Sequence, residues 1–434
     1  MTDRTNNNGL TRRGVLKGMA LAAGGTALSG LTGPGFNSLA WASNGKPETR
    51  SARLGFIALT DAAPLFVAAE KGLFAKHGMD DVQVLKQSSW GTTRDNLVLG
   101  SRRGGIDGAH ILTPMPYLMT AGAMSDQVDM RIVARLNLAG QCISVGNEYK
   151  DLNVGLDTTE FAKALAAKRS GGDAVRAAMT FPGGTHDLWI RYWLAAGGID
   201  SYRNIDTIVV PPAQMVANMR VGSMDTFCVC EPWNQQLVNQ NIGYTANTTG
   251  ELWHNHPEKA LGLRADYVDN NPNATRALVM AVMEAQIFCE QAENKEEVAQ
   301  ICSRRRWIHA PYADIIDRMQ GNFDYGTGRV VENHPDQMRY WNDHASYPFK
   351  SHDLWFLTEN QRWGNLPLDL DTQSLVNRVN REDIWRDAAA RLGIDKADIP
   401  ESTSRGKETF FDGKVFDPEN PKAYLESLAI TRMG

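Results

Sequence analysis

Short apolar runs alternate with amphipathic segments along most of the chain. Residues 54–59 form a continuous apolar run with the length of a buried strand, and residues 64–77 follow with the spacing of a helix. The alternation recurs further along, with strands predicted at residues 82–87, 106–112, 178–181, 207–210 and 226–230. Because strands that alternate with helices are typical of βαβ units, the sequence predicts an α/β fold with parallel sheets.

The alternation is interrupted once and then resumes, which indicates two α/β units. Residues 141–145 are predicted to cross from the first unit to the second, and the chain returns near residues 244–247. A long amphipathic helix is predicted at residues 274–292. After residue 304 the periodicity weakens, and we expect a C-terminal extension packed on the first unit. The sequence thus predicts two lobes joined by two crossings, with a cleft where the strands end.

Residues 1–42 have the composition of an export signal. Arg12 and Arg13 precede an apolar run rich in glycine and alanine at residues 18–31, and Ala-Trp-Ala at residues 40–42 has the spacing of a leader-peptidase site. The arginine pair predicts the twin-arginine route, which carries folded proteins. With no cysteine near the cleavage site, no lipid anchor is predicted. We expect a periplasmic protein, soluble or peripherally associated with the inner membrane.

The predicted organisation has five parts: a twin-arginine signal peptide at 1–42, a tether at 43–52, the first part of lobe I at 53–140, lobe II at 141–245, and the second part of lobe I with the C-terminal extension at 246–434.

The signal carries four basic residues and one acidic residue, so its removal changes the net charge from −5 to −8. That balance argues against nucleic acid or an anionic membrane as the main partner. It does not exclude an anionic ligand, because the electrostatic potential inside a cleft is set by nearby groups and not by the total charge.

No motif for catalysis, a cofactor or a metal is present in the sequence. There is no Gly-x-Ser-x-Gly elbow, no Walker A sequence and no His-Glu-x-x-His. His254 and His256 lack the neighbouring ligands of a metal site, and a surface loop is the better interpretation. Five cysteines do not make a disulfide framework, and Cys228 and Cys230 fit a buried strand. We therefore predict a protein that is not an enzyme, with no catalytic residues, metal or cofactor.

Five short blocks of sequence carry a resemblance: WGTTRDNL at 90–97, GIDGAHILTPMP at 105–116, TFPGGTHD at 180–187, CEPWN at 230–234 and HPEKA at 256–260. Together they resemble the nitrate-binding proteins of bacterial ABC importers, a family that also includes bicarbonate-binding proteins. The resemblance extends through the C-terminal extension. It implies a two-lobed periplasmic-binding-protein clamp of the type II-like class, with two crossovers.

The resemblance implies that Trp90, Gly91, Gln141, His186 and Lys259 contact the ligand. Nitrate is a planar monoanion without a proton at neutral pH, so a site for it needs only donors. An ammonium, an amide, an indole N–H and a backbone N–H meet that need. The imidazole can donate through a ring nitrogen, and a bound anion would favour its protonated form.

The choice between nitrate and bicarbonate depends on two of these positions. Bicarbonate carries an O–H that needs an acceptor, and the bicarbonate binders of the family look different at the position of Lys259, where an acidic side chain serves an accompanying cation. The position of His186 tends to differ as well, so the two residues present here favour nitrate. Because Glu258 adjoins Lys259, a one-residue shift in register would reverse this preference.

We therefore predict an extracytoplasmic solute-binding protein that captures nitrate, with nitrite as a second candidate ligand, and delivers it to the permease subunits of an ABC importer. Two alternatives remain open at this point. One is a bicarbonate-binding protein of the same family. The other is a nitrate-sensing regulatory protein built on the same fold.

Overall fold

The computed structural model describes residues 45–123 and 125–432 of the chain. The predicted signal peptide at 1–42 lies outside the described residues. Two five-stranded sheets, with helices between all successive strands except Met130–Arg135 and Gln141–Gly146, make up most of the described chain, so the predicted α/β class is confirmed. Within these residues no helix is long and apolar enough to cross a membrane.

The strands of the described chain are numbered in chain order. They are β1 (Ser51–Phe56), β2 (Asp81–Lys86), β3 (Gly108–Leu112), β4 (Met130–Arg135), β5 (Gln141–Gly146), β6 (Arg176–Met179), β7 (Asp206–Val209), β8 (Thr226–Cys230), β9 (Gly243–Thr248), β10 (Lys259–Arg264), β11 (Phe323–Asp324), β12 (Val330–Val331), β13 (Glu408–Thr409) and β14 (Val415–Phe416). The last four form two short antiparallel hairpins.

The α-helices are numbered in the same way. They are α1 (Ala63–Glu70), α2 (Leu73–Lys76), α3 (Trp90–Leu99), α4 (Met115–Thr120), α5 (Thr159–Ser170), α6 (Thr185–Ala196), α7 (Met215–Arg220), α8 (Trp233–Asn239), α9 (Thr249–Leu252), α10 (Ala265–Asn270), α11 (Pro272–Glu290), α12 (Lys295–Ser303), α13 (Ile316–Met319), α14 (Lys350–Arg362), α15 (Thr372–Val379), α16 (Glu382–Leu392) and α17 (Pro421–Glu426).

Each lobe is built around one sheet with the same plan. The sheet of lobe I has the order β2-β1-β3-β10-β4, and that of lobe II has the order β7-β6-β8-β5-β9. In lobe I, β1 is parallel to β2 and β3, whereas β10 is antiparallel to both of its neighbours. In lobe II, β5 takes the antiparallel place. In both sheets the antiparallel strand is the one that has just crossed from the other lobe.

The strands predicted from the apolar runs are all present within three residues of their expected positions. They are recognisable because both faces of the inner strands are covered, so every residue of β3 and β8 is buried. Two features differ from the prediction. Residues 141–145 form strand β5 and not merely a crossing, and the helix predicted at 64–77 is divided into α1 and α2 by Gly72, whose φ of +67° suits glycine.

The C-terminal extension contacts both lobes. Helix α14 lies at the centre of this contact, with Asp353 paired to Arg135 at the end of β4 in lobe I. Near the other end of the helix, Asn360 Nδ2 donates to the carbonyl of Gly183 in lobe II at 3.1 Å. The expectation that the extension packs on lobe I alone is therefore too narrow.

All five cysteines are free and buried. The prediction that they form no disulfide framework is confirmed, and Cys228 and Cys230 pack inside β8 as expected. Burial raises the pKa of both thiols well above the usual range. These side chains therefore act as small apolar groups and not as nucleophiles.

A buried ion pair joins the extension to lobe II. Arg318 Nη1 in α13 lies 2.6 Å from Glu231 Oε1 at the end of β8. The guanidinium also donates to Gln235 Oε1 and Thr245 Oγ1, each at 2.8 Å. Burial opposes the charge, but Glu231 holds the pKa of Arg318 above its usual value. Glu231 thus has a structural role in joining the extension to lobe II.

The substitution Glu231→Gln should destabilise the protein by about 3 kcal/mol, because it leaves the guanidinium of Arg318 buried without a counter-ion. The measurement is the urea midpoint of unfolding. Glu160→Gln is the matched control, since its pair with Lys163 is exposed and should contribute little. Equal midpoints for the two variants would contradict this account of the contact.

Candidate functional site

Seven side chains meet between the lobes, at the edge of each sheet where its parallel strands end. Gln141 begins β5 and pairs with Cys230, the last residue of β8, while Lys259 begins β10 and pairs with Leu112, the last residue of β3. The antiparallel strands therefore start where the parallel strands finish. All seven side chains have 0% exposure, and we call them the buried polar cluster: Asp61, Trp90, His110, Gln141, His186, Glu258 and Lys259.

The ammonium of Lys259 is the centre of this cluster. Its Nζ lies 2.8 Å from Asp61 Oδ2 and 2.8 Å from Glu258 Oε1. Burial by itself disfavours a charged lysine, but the two carboxylates outweigh it and raise the pKa of Lys259 above its usual value. The side chain is therefore a cation held out of contact with water.

Glu258 is surrounded by donors. Thr185 Oγ1 and Lys259 Nζ donate to its Oε1, and Trp189 Nε1 donates to its Oε2 at 2.7 Å. Glu258 and Lys259 reach the same place although they are adjacent, because β10 begins only at Lys259 and Glu258 precedes the alternation of the strand. The sequence left these two positions as alternatives, and the structure brings both to the cluster.

Gln141 connects the two halves of the cluster. Its Nε2 donates to Asp61 Oδ2 and to the carbonyl of Ala139, both at 3.3 Å. Its Oε1 accepts from His186 Nε2 at 2.7 Å. The amide thus extends from a carboxylate of lobe I to an imidazole of lobe II.

His186 lies in the first turn of α6, where its ring is held at both nitrogens. Nε2 donates to Gln141, and Nδ1 accepts from Thr180 Oγ1 at 2.5 Å. Lys259 Nζ is 3.5 Å from Nε2. Burial and, next, the charge of Lys259 lower the pKa of His186 well below its usual value, so the imidazole is neutral in this arrangement.

Trp90 and Gly91 form the first turn of α3. Ser89 caps the helix by accepting from the backbone N–H of Thr92 at 3.1 Å. The Trp90 ring centroid is 5.9 Å from Lys259 Nζ, and within the described part of the chain its buried Nε1 has no acceptor. The backbone N–H of Gly91 belongs to a turn whose donors have no partner inside the helix.

Asp61 and His110 belong to the cluster but were absent from the sequence prediction. His110 Nε2 donates to Asp61 Oδ1 at 2.6 Å, while Nδ1 has no partner among the described residues. Burial opposes ionisation of Asp61, but Lys259 and His110 lower the pKa of this carboxyl below its usual range. One signal in the sequence was available, because Asp61 follows an apolar strand at the end where α/β proteins bind ligands.

Of the five predicted contact residues, the structure brings Trp90, Gln141, His186 and Lys259 together and places Gly91 beside them. The interpretation of residues 254–256 as a surface loop is wrong for His256, which has 0% exposure. His256 Nδ1 donates to the carbonyl of Pro257 at 3.0 Å, while Thr249 Oγ1 lies 2.8 Å from Nε2. In the described ranges, no three His, Cys, Asp or Glu side chains are arranged to hold a metal.

Residues 45–303 match the model of the NMT1-like family. The chain belongs to the NMT1-like family. This membership covers both lobes, since the matched residues extend from before β1 to the end of α12.

Two similar proteins and one crystal structure are informative. The chain is 61% identical over 387 residues to the nitrate/nitrite binding protein NrtA of Synechocystis sp. (strain ATCC 27184), with 88% of this chain and 86% of that protein covered. It is 43% identical over 396 residues to the bicarbonate-binding protein CmpA of Synechococcus elongatus, with 89% and 88% covered. The crystal structure of the periplasmic nitrate-binding protein NrtA from Synechocystis PCC 6803 matches with a TM-score of 0.87 and 60% identity, covering 89% of this chain and 100% of that one. The predicted family and clamp fold are confirmed.

The folded protein should be less stable in mild acid, partly because His256 is buried as a neutral imidazole. Burial lowers the pKa of His256 to about 3, whereas an unfolded histidine titrates near 6.5. Below pH 6.5 the unfolded chain therefore binds a proton at this histidine, whereas the folded chain keeps the ring neutral. As a result, the free energy of unfolding decreases as the pH falls from 6.5. At roughly 1.4 kcal/mol for each pH unit, the loss is about 2 kcal/mol between pH 6.5 and 5.

His256→Gln should remove this contribution and flatten the dependence of the unfolding free energy on pH. The measurement is urea unfolding at pH 5.0, 5.75 and 6.5. His254→Gln is the control, because the side chain of His254 is 64% exposed. If the two variants show the same pH dependence, burial of His256 does not have this effect.

Proposed function

We propose that the protein is an extracytoplasmic solute-binding protein that captures nitrate, and also nitrite, and delivers it to an ABC importer without changing it chemically. The observation that carries this proposal is the indole N–H of Trp90, which is buried near the ammonium of Lys259 and has no acceptor among residues 45–123 and 125–432. A buried donor without an acceptor is costly, and an anion between the lobes would satisfy it.

The other proposed contacts supply further donors from both lobes. Lys259 offers an ammonium hydrogen beyond those that Asp61 and Glu258 accept, and Gly91 offers a backbone N–H in the first turn of a helix. The amide of Gln141 and the ring N–H of His186 already donate to described residues, so they contact the anion only by exchanging those hydrogen bonds. Charge-assisted bonds of this kind contribute roughly 1.5–3 kcal/mol each. Two or three of them support binding in the micromolar range after ordering costs. The resemblance to the nitrate/nitrite binding protein NrtA supports the same ligand.

Bicarbonate is the second candidate, and one observation favours it. Asp61 and Glu258 bring two carboxylates to the cluster, each 2.8 Å from Lys259 Nζ, and a bicarbonate O–H needs such an acceptor. Nitrate remains the preferred ligand because both carboxylates already accept from Lys259 and from other donors. The lower identity to the bicarbonate-binding protein CmpA agrees with this order.

Calorimetric titration of the metal-free protein with nitrate, nitrite and bicarbonate tests the function, with bicarbonate repeated in the presence of calcium. We expect tight binding of nitrate, and of nitrite, with no heat from bicarbonate. Binding of bicarbonate that requires calcium would mean that the ligand has been misassigned. The absence of heat from every anion would refute the proposal as a whole.

Trp90→Phe tests the site within that experiment. The substitution removes the indole N–H together with part of the buried ring, so the affinity for nitrate should fall by about tenfold or more and the lost packing should lower the urea midpoint. Trp385→Phe is the matched control, because its indole N–H donates to Ser346 Oγ in the extension at 2.9 Å. An unchanged affinity for nitrate in the Trp90 variant would remove this residue from the site.

A Lys259 variant would be less decisive. Removal of the ammonium leaves Asp61 and Glu258 buried without their cation, and a broken buried pair destabilises a protein by several kcal/mol. A loss of binding would then report misfolding as readily as a lost contact. The Trp90 substitution breaks no hydrogen bond with a described residue, which makes it the sharper probe.

The cellular setting is part of the same proposal. We propose export by the twin-arginine route, cleavage after residue 42, a soluble or peripheral periplasmic location, and the permease subunits of an ABC importer as partners. We also propose a tether at 43–52 and a division of the chain into two lobes. Lobe I consists of residues 53–140 and 246–434, and lobe II of residues 141–245. The ranges of the two sheets support this division, apart from the end of β9.

Replacing both arginines of the leader, Arg12→Lys with Arg13→Lys, should stop export, because the twin-arginine route reads the arginine pair and not its charge. Immunoblots of periplasmic and cytoplasmic fractions measure the outcome. Lys17→Arg is the control and should leave export unchanged. If the wild-type chain itself accumulates uncleaved in the cytoplasm, the nitrate-sensing regulator becomes the better interpretation.

A further inference from the structure

The buried polar cluster has an excess of negative charge before any anion binds. Its ammonium, Lys259, faces the carboxylates of Asp61 and Glu258. Every described side chain within hydrogen-bond distance of Glu258 donates to it, including Thr185 and Trp189, so its oxygens act as acceptors. Burial raises the pKa of Glu258, but the ammonium of Lys259 and the donors of Thr185 and Trp189 favour its ionised form. With both carboxylates ionised, the three groups have a net charge of −1.

The surrounding groups do not offset this charge. His110 contacts Asp61, and its ring is neutral because burial lowers its pKa. The other titratable groups that face Asp61, Lys259 or Glu258 are also uncharged, since burial lowers the pKa of the imidazoles and raises the pKa of the thiols and the phenol. They are His186, His256, Cys228, Cys230, Cys302 and Tyr340.

A bound monoanion would bring the cluster to a net charge of −2 at a place with no exposure to water. Uncompensated charge in a poorly polarisable interior is strongly unfavourable. The usual response of a protein is a change in the protonation of a neighbouring group. The chemistry of the cluster therefore calls for one additional proton when the anion is bound.

Glu258 is one candidate for that proton, because burial raises the pKa of its carboxyl, but both of its oxygens already accept from other side chains. His110 is better placed. Its Nε2 lies 2.6 Å from Asp61 Oδ1, so an imidazolium there would be stabilised by direct contact with a carboxylate. Its Nδ1 has no partner among the described residues and can accept a proton without breaking a hydrogen bond. His186 is less suitable, because its Nε2 lies 3.5 Å from Lys259 Nζ and an imidazolium there would face a second cation.

We propose that anion binding is coupled to the uptake of one proton from solvent by His110, at Nδ1, with Asp61 as its counter-ion. The inference rests on the proposed function. Once His110 is an imidazolium, it compensates the charge of Asp61, and Lys259 is left to pair with the bound anion. His110 is therefore a positioning residue that acts on the ligand through Asp61 and Lys259.

The coupling makes affinity depend on pH in a defined direction. The bound form holds one more proton than the free form, so binding tightens as the pH falls. The dissociation constant should rise by up to about tenfold for each pH unit above the pKa of His110 in the free protein. Because burial lowers that pKa, this range includes neutral pH.

Proton uptake can be measured directly by titrating the protein with nitrate at pH 7.5 in HEPES and in Tris, whose ionisation enthalpies differ. The difference in binding enthalpy gives the number of protons, and we expect about one taken up. Clear binding of nitrate without proton uptake would overturn the inference and leave the proposed function intact. No binding heat from nitrate or nitrite would overturn the proposed function, and this inference with it.

Two variants locate the proton. His110→Gln retains a donor for Asp61 but cannot become a cation, so uptake and the pH dependence of the dissociation constant should disappear. Asp61→Asn removes the charge that calls for the proton and should also abolish uptake, which decides the question if the His110 variant does not fold. His254→Gln is the exposed control and should retain uptake of about one proton. Wild-type uptake in either cluster variant would overturn the assignment.

Discussion

The candidate site depends on one buried ammonium group. Lys259 can remain charged without water only because two carboxylates lie 2.8 Å from its Nζ, and those carboxylates can be buried only because the lysine is there. The three groups come from two parts of the chain. Asp61 follows β1, while Glu258 and Lys259 end the crossing that returns to lobe I. All three belong to lobe I, and Thr185 and Trp189 of lobe II donate to Glu258 there.

The same interaction explains the polar side chains around it. Gln141 and His186 reach the cluster from lobe II, and the amide of Gln141 connects Asp61 with His186. Trp189 and Thr185 supply Glu258 with donors from α6. A buried charged group requires that each neighbour also be satisfied, and the network extends outward until it meets backbone carbonyls. Two atoms of the cluster differ, because the indole N–H of Trp90 and Nδ1 of His110 have no partner among the described residues.

The C-terminal extension connects the two lobes through its own contacts with each of them. Its helix α14 pairs with Arg135 of lobe I and donates to Gly183 of lobe II, and Arg318 is bound to Glu231 at the end of β8. These contacts lie outside the cluster, yet they join the same two lobes. Any separation of the lobes that admits a ligand must therefore also rearrange contacts of the extension.

The apolar runs and the helical spacing were enough to predict the α/β class, the strands that lie inside each sheet, and two lobes with two crossings. Those features follow from local pattern, because an inner strand buried on both faces has a continuous apolar sequence. The resemblance of short blocks led further, to the family and to Trp90, Gly91, Gln141, His186 and Lys259. Only the tertiary structure could bring Asp61 and His110 beside Lys259, or direct both Glu258 and Lys259 into one cluster. The physical reason is that charge pairing in a protein interior depends on distance in space, and residues far apart in the chain carry no local signal of it.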